Sequence, residues 1–369
     1  MASILVLGAK VPFTSGGQEV LMASLVRELR SRGHSVDTVE LPFLVRSRPE
    51  LLEQAALWRS LDLQRFAGQR VDLVIATKFP SYYARHPRKS LWLVHQHRPL
   101  YDLYAGPYSD FSDDPRDEAI RRMLVQGDQK AIGECSFVSG ISKNVVTRLS
   151  HYNHISGEAL YPPLPLGTRY RSAPSEDYIL SVGRICGIKR VDLMVKALPM
   201  VHQFVKLKIV GQPDEPGIMD YLRNEVSKHH LWHRVEFLGR VDDEALLDLY
   251  SRARAVYYAP HNEDYGYVTL EAMASGKPVV TATDSGGVLE FVTDRETGII
   301  VEPTLDGISR GFNTLIEDPE LADRIGARGL ALIGELGISA SDWNRVTSAL
   351  LSPLDTANPK IKDATCAAL

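Results

Sequence analysis

Two pairs of charged side chains stand out for their types and spacing. Arg184 and Lys189 lie in the segment SVGRICGIKRVD, 181–192, just past an apolar run that reads as a strand. A pyrophosphate held at such a turn needs two cations, one to fork its oxygens and one to serve as a mobile point charge. Glu263 and Glu271 lie eight residues apart in APHNEDYGYVTLEAMASGKPVV, 259–280. A strand ends near Ala259, and the stretch from Gly266 to Ser275 reads as a helix stopped by Gly276. The amides of Tyr265, Gly266 and Tyr267 then open a helix, where phosphate or sugar oxygens are well received. Glu271 is one turn further in, among apolar neighbours. A carboxylate there needs partners, and ribose hydroxyls would supply them. Each segment alone also fits a plainer reading: a solvent-facing Arg and Lys, and a glutamate paired with a nearby cation.

The N-terminal half offers fewer such groups. Gly16 and Gly17, in VPFTSGGQE, fall in the first strand-to-helix loop, where glycine lets amides come close to a phosphate or a sugar. The spacing GxGxxG is absent, which speaks against a nicotinamide dinucleotide site. LWLVHQHRPLYDLYAG, 91–106, ends a strand with two histidines. His95 follows the strand directly and is the first candidate; His97 and Arg98 come next. Ser142 and Ser285 sit where helix N-caps are expected, and Glu290 reads as structural. RHPRK at 85–89, beside Phe79, Tyr82 and Tyr83, and the tyrosine-rich 101–111 would suit a lipid headgroup or stacked sugar rings, or plain packing.

These residues need elements to position them. Short β-branched runs alternate with amphipathic stretches: ILVL at 4–7, a helix near 18–32 with Leu21, Leu25 and Leu29 on one face, then runs at 35–41, 71–77, 90–95 and 135–140. Residues 161–177, rich in Pro, Ser and Arg, break the pattern and read as a linker. The alternation restarts at 178–183, 207–211, 235–239, 255–260, 278–282 and 298–301. The fold class is therefore α/β, two Rossmann-like doubly wound parallel sheets facing across a cleft, with the chemistry in loops beyond the strands' carboxyl ends. The expected division is 1–165 for an acceptor-side domain and 166–340 for a donor domain. A helix at 341–352 would then cross back to the first domain, ahead of a polar, disordered tail at 353–369.

Taken together, GR-x4-K after one strand and Glu-x7-Glu with YGYVTLEAMASGKPVV after another resemble glycosyltransferase family 4 of the GT-B fold, over roughly residues 3 to 350. The resemblance implies a retaining, metal-independent hexosyltransferase-like enzyme using a nucleotide-sugar donor, with UDP- or GDP-sugars favoured and no cofactor. It implies that Arg184 and Lys189 bind the donor diphosphate, that Glu271 binds ribose and that Glu263 faces the transferred sugar. The amides at 265–267 would hold sugar and phosphate, Gly16 and Gly17 would lie in the nucleotide-sugar site, and His95 would touch the sugar or the reacting centre. The acceptor stays open among glycan, lipid-linked and small-molecule classes. The Pro-Ser pair common in the family before the first Glu is replaced by Ala259-Pro260-His261-Asn262, and Cys186 lies inside the phosphate loop. Two other readings are a nucleotide-sugar epimerase of the same fold and a non-catalytic sugar-nucleotide-binding protein.

Composition bounds the rest. The chain has 369 residues and a formal net charge of −4, which excludes a nucleic-acid binder by charge. Its three cysteines form neither a metal pattern nor a disulfide framework, as fits a reducing cytoplasm. No apolar run is long enough to cross a bilayer, and the first residues lack a basic leader. Residues 1–170 carry 21 Lys and Arg against 17 Asp and Glu, so peripheral contact with the cytoplasmic membrane face through this half is a further expectation. The sequence does not bear on oligomeric state.

Overall fold

The computed structural model describes residues 1–12, 16–66, 68–339 and 343–355. By its contacts the chain forms two compact units, one of Met1–Pro162 with the final helix from Trp343, the other Pro163–Asp342.

The first unit opens with β1 (Ser3–Lys10), α1 (Gly17–Ser31), β2 (Ser35–Pro42) and α2 (Pro49–Ser60). A short antiparallel hairpin follows, β3 (Arg65–Phe66) with β4 (Gln69–Arg70), and then β5 (Leu73–Lys78) and β6 (Lys89–His95). The unit continues with α3 (Pro115–Gly133), β7 (Phe137–Gly140), α4 (Lys143–Asn153) and β8 (Glu158–Ala159). Its main sheet runs β2-β1-β5-β6-β7-β8, parallel throughout. The central strands are apolar runs with almost no alternation because both faces are covered, and β5 is buried over its full length. On α1 the predicted stripe Leu21, Leu25 and Leu29 is buried, joined by Met22 and Val26. At α4 Ser142 is the N-cap, accepting the Val145 amide at 3.0 Å.

The second unit contains β9 (Tyr178–Val182), α5 (Val191–Ala197), β10 (Lys206–Val210), α6 (Ile218–Lys228), β11 (Val235–Gly239), α7 (Asp243–Arg252) and β12 (Ala255–Tyr257). Then come α8 (Tyr267–Ala274), β13 (Val279–Ala282), β14 (Ile299–Val301), α9 (Leu305–Glu317) and α10 (Pro319–Leu336). The strand order is β11-β10-β9-β12-β13-β14, again all parallel. Successive strands run outward from β9 in one direction and then, from β12, in the other. This reversal leaves a crevice at the carboxyl ends of β9 and β12, the place where open α/β sheets receive ligands. The first sheet has the same reversal between β1 and β5. In the second unit the core is formed by Ile179, Leu207, Ile209, Tyr257, Val280 and Phe312 with their neighbours, which makes β9 and β12 rigid supports for the loops they feed.

Helix α11 (Trp343–Leu351) belongs to the first unit. Trp343 meets the buried Trp92 edge-on at 6.0 Å, and the buried Ser90 hydroxyl donates to the Leu350 carbonyl at 2.7 Å. Beyond it, Ser352–Leu354 forms a 3-10 turn with Pro353 buried, so that part of the expected tail is packed; 356–369 lie outside the described residues. Among the described residues no helix is long and apolar enough to cross a membrane.

Candidate functional site

At the end of β9 the chain leaves the sheet through Gly183 (φ 133°) and runs beside the loop that follows β10. The two loops are stitched by backbone bonds: Gly183 N–H to Val210 O, Ile185 N–H to Gln212 O at 2.9 Å and Asp214 N–H to Ile185 O at 3.1 Å. Gly211 (φ 146°) makes this approach feasible, because a Cβ there would lie 1.8 Å from the Gly183 carbonyl oxygen.

Three anion-binding groups follow in sequence along this loop, and each holds a carboxylate. The Arg184 guanidinium pairs with Asp214. The Gly187 amide donates to both oxygens of Glu215 at 3.1 Å. The Lys189 ammonium pairs with Glu263 and donates to the Tyr258 hydroxyl at 3.1 Å. Burial by itself would push the Lys189 pKa down, but Glu263 and Tyr258 overcome it and hold the ammonium above its usual range. Arg184 also feels Glu263, so the cations and carboxylates form one cluster.

The loop after β12 closes the other side. His261 N–H donates to Ile188 O at 2.9 Å, Asn262 N–H to Asp284 O at 2.8 Å and Glu263 N–H to Ser285 O at 3.1 Å, which pins the first glutamate between its neighbours. Arg190, in the left-handed region at φ 54°, forks the Asp284 carboxylate at 2.7 and 2.6 Å and reaches His261 Nδ1 at 3.0 Å. Burial would raise the Asp284 pKa, but Arg190 and His261 bring it below its ordinary value. The expected N-cap role of Ser285 is not seen. Its hydroxyl accepts the Ala282 amide at 3.2 Å and fixes the turn after β13, while the residues beyond form only a 3-10 turn. Gly266 (φ 90°) caps α8, one residue inside the predicted start, and Tyr265, Gly266 and Tyr267 surround that N-terminus.

Glu271 lies inside α8 and is buried. Its two oxygens accept one hydroxyl each, from Tyr250 at 2.7 Å and Tyr170 at 3.2 Å. Burial raises its pKa, and the two tyrosine donors only partly offset that. The expected pattern of two hydroxyls on one carboxylate is present, but the protein's own phenols supply them.

In the first unit, Gly16 has an extended backbone (φ −148°) that any residue adopts, and its amide donates to Glu19 Oε2 at 2.8 Å. Backbone strain therefore does not demand a glycine there. Gly17 is the first residue of α1, and residues 13–15 lie outside the described residues. His95 ends β6 with Nδ1 at 2.8 Å from the Gln96 carbonyl, which puts the proton of the neutral ring on Nδ1. His97 is enclosed by Phe43, Phe79 and Phe111, and burial lowers its pKa to about 4. Arg98 pairs with Asp102 at 2.5 Å. Beneath this segment a buried chain of donors runs from Gln96 to Asn153, then to the Tyr101 hydroxyl at 3.2 Å, and from there to Asp128 at 2.6 Å. Tyr83 donates to the other Asp128 oxygen at 2.7 Å, and burial pushes this carboxyl up to about 6. Of the aromatic groups considered for lipid or sugar contact, Phe79, Tyr82, Tyr83, Tyr101 and Phe111 are buried core residues, as is Lys89, whose ammonium donates to three carbonyls, while Tyr104 and Tyr108 are half-buried.

The structure thus brings together Arg184, Lys189 and Glu263 in the second unit, with Glu271 on the adjoining helix; Gly16, Gly17 and His95 belong to the first unit. The sequence reading missed Tyr170, Arg190, Asp214, Glu215, Tyr250, Tyr258, His261 and Asp284. Of these only Arg190, next to Lys189, carried a local signal.

Two parallel Rossmann-like sheets in tandem, each with a strand-order reversal, are the domains of a GT-B fold. Sucrose-phosphate synthase from Thermosynechococcus elongatus superposes with a TM-score of 0.76 at 18% identity, covering 95% of this chain and 97% of that one. HepE of Anabaena, solved with UDP and glucose, gives 0.71 at 19%, covering 94% and 100%. Residues 169–331, within the second unit, match the family described as Glycosyl transferases group 1. Glycogen synthase of Mycobacterium tuberculosis is 34% identical over 185 residues, 49% of this chain and 42% of that protein. The human alpha-1,3/1,6-mannosyltransferase ALG2 is 29% identical over 223 residues, 54% of this chain and 52% of that one. The matched stretch therefore spans about half the length of these curated relatives.

Proposed function

We propose that the protein is a retaining glycosyltransferase that moves a sugar from a nucleotide diphosphate donor, with UDP- or GDP-sugars favoured, to a glycan, lipid-linked or small-molecule acceptor. The observation that carries this reading is the run Arg184, Gly187 amide and Lys189, each already holding a carboxylate at the reversal between β9 and β12. Groups arranged for carboxylates suit the oxygens of a diphosphate equally well. One relative is named a glycogen synthase and another a mannosyltransferase, and one structural neighbour was solved with UDP.

In this mechanism the bond from the sugar's anomeric carbon to the diphosphate breaks first, through an oxocarbenium-like state. The acceptor oxygen then attacks from the same face, and its proton passes to the departing phosphate oxygen. Arg184 and Lys189 hold the growing negative charge, so the two cations take the role a metal has in other transferases. Glu263, tied to Lys189, faces the sugar, and the N-terminal amides of α8 hold sugar or phosphate oxygens. Calorimetry of UDP, GDP and ADP in EDTA, on the wild type and on Arg184→Ala, tests the reading. One nucleotide should bind the wild type and be lost in the variant. Failure of all three to bind, or a need for a divalent metal, would refute it.

A further inference from the structure

The loop after β10 places Asp214 on Arg184 and Glu215 on the Gly187 amide, within the cluster assigned to the donor diphosphate. Neither contact is incidental to the loop's course. The Asp214 amide donates to the Ile185 carbonyl, Ile185 and Pro213 form a β-bridge, and Gly211 permits the two loops to touch. The carboxylates are therefore carried on a strip of backbone fixed beside the cations. Asp214 and Glu215 are both exposed residues, and the Arg184 side chain is 51% exposed, so a stronger anion can displace the carboxylates.

A diphosphate entering this cluster must take Arg184 from Asp214 and the Gly187 amide from Glu215. It must then remain beside two displaced negative charges. The two nucleotides such a site handles differ in that respect. In the sugar nucleotide both phosphates are esterified, whereas the free diphosphate has a terminal phosphate whose second ionisation adds up to one further charge near neutral pH. Repulsion from fixed carboxylates a few ångströms away falls more heavily on the more highly charged ligand.

We propose that Asp214 and Glu215 are specificity-determining residues that admit the sugar nucleotide and expel the free nucleoside diphosphate, so that product leaves the cluster they share. This rests on the assignment of Arg184 and Lys189 to the donor diphosphate. The carboxylates act by competition, so removing their charge strengthens binding. If they merely steadied Arg184, the same change would weaken it.

The test is calorimetry on the full chain in EDTA, with UDP, GDP, ADP, UDP-glucose, GDP-mannose and ADP-glucose as probes. Wild type, Asp214→Asn/Glu215→Gln and Arg184→Ala are compared, with thermal unfolding as the folding control. For the base that binds, the double variant should hold the free diphosphate on the order of tenfold more tightly than wild type does. Its gain for the sugar nucleotide should be several-fold smaller. Raising the salt should shrink the difference between wild type and variant. Unchanged or weaker diphosphate binding, or equal gains for both ligands, overturns the proposal. If the double variant does not fold, Glu215→Gln and Asp214→Asn alone should each give part of the same gain. Wild type that binds no probe, or Arg184→Ala that binds as well as wild type, sinks the donor-site reading itself. Loss in Arg184→Ala with no gain in the double variant sinks only the role of the two carboxylates.

Discussion

Lys189 and Glu263 illustrate how far single residues can be read. Their types and spacing made them candidates because a diphosphate and a sugar need those charges, yet nothing in the spacing said that they pair with each other across a gap of 74 positions. Removing the ammonium leaves Glu263 beside Tyr258 without its cation and, in the proposed mechanism, takes away charge where the leaving group forms. Lys189→Ala should therefore lower single-turnover donor cleavage on the order of a hundredfold, with a smaller loss of donor affinity. Unaltered turnover would remove Lys189 from the mechanism. Glu271 is a second case. The sequence showed a buried carboxylate in need of hydroxyls, but the hydroxyls of Tyr170 and Tyr250 come from distant segments with no local mark. Because Tyr250 is fully buried, Glu271→Ala strands its hydroxyl and should cost on the order of 2 kcal/mol in urea unfolding. Glu271→Gln keeps an acceptor and should cost clearly less; equal losses would show that the phenols do not depend on it.

At the scale of elements, the strands and their parallel order were legible because buried strands read as short β-branched runs between amphipathic stretches. Loop geometry was not, since it is set by backbone pairing between segments far apart in sequence. Ser285 shows the difference: a serine ahead of a helical stretch looks like a cap, but here it ties its own turn to Ala282. Gly211 shows it more strongly. Its glycine is required by the Gly183 carbonyl of another loop, so no property of residues 207–217 alone would reveal it. Gly211→Ala should separate the two loops, weaken nucleotide binding at least tenfold and lower the thermal midpoint, since φ 146° is strained for any L side chain. Retained binding with an unchanged midpoint would mean that the stitched loops do not shape the cluster.

Over the whole molecule, the two-sheet plan was readable from alternation and the proline-rich break. The fate of the aromatic residues was not, because Phe79, Tyr83 and Tyr101 look alike whether they pack or bind. They pack, and in doing so they enclose Asp128. Its folded pKa of about 6 lies above that of an unfolded aspartate. The protonated form is favoured by folding, so this contribution is complete below the unfolded pKa near 4 and is lost as pH rises through about 6. Asp128→Asn, neutral throughout, should gain on wild type over that window by up to about 3 kcal/mol and keep a constant lead above it. Urea titrations at acid and neutral pH measure this. A lead that shrinks with rising pH would show that the tyrosine donors outweigh burial.

The course of the chain between its two units has a consequence for how the protein is made. The first unit is discontinuous in sequence, since α11 supplies the cover for Trp92 and Ser90. The second unit is one uninterrupted stretch whose beginning and end meet, with Leu164 N–H donating to Ile338 O at 3.0 Å. On the ribosome, the portion emerging later can be completed first, while the portion emerging earlier waits, with Trp92 and Ser90 uncovered, for α11 to leave the exit tunnel. Premature termination just before Trp343 would thus yield a finished second unit joined to an unfinished first one, a product that chaperones and proteases would recognise by its amino-terminal half.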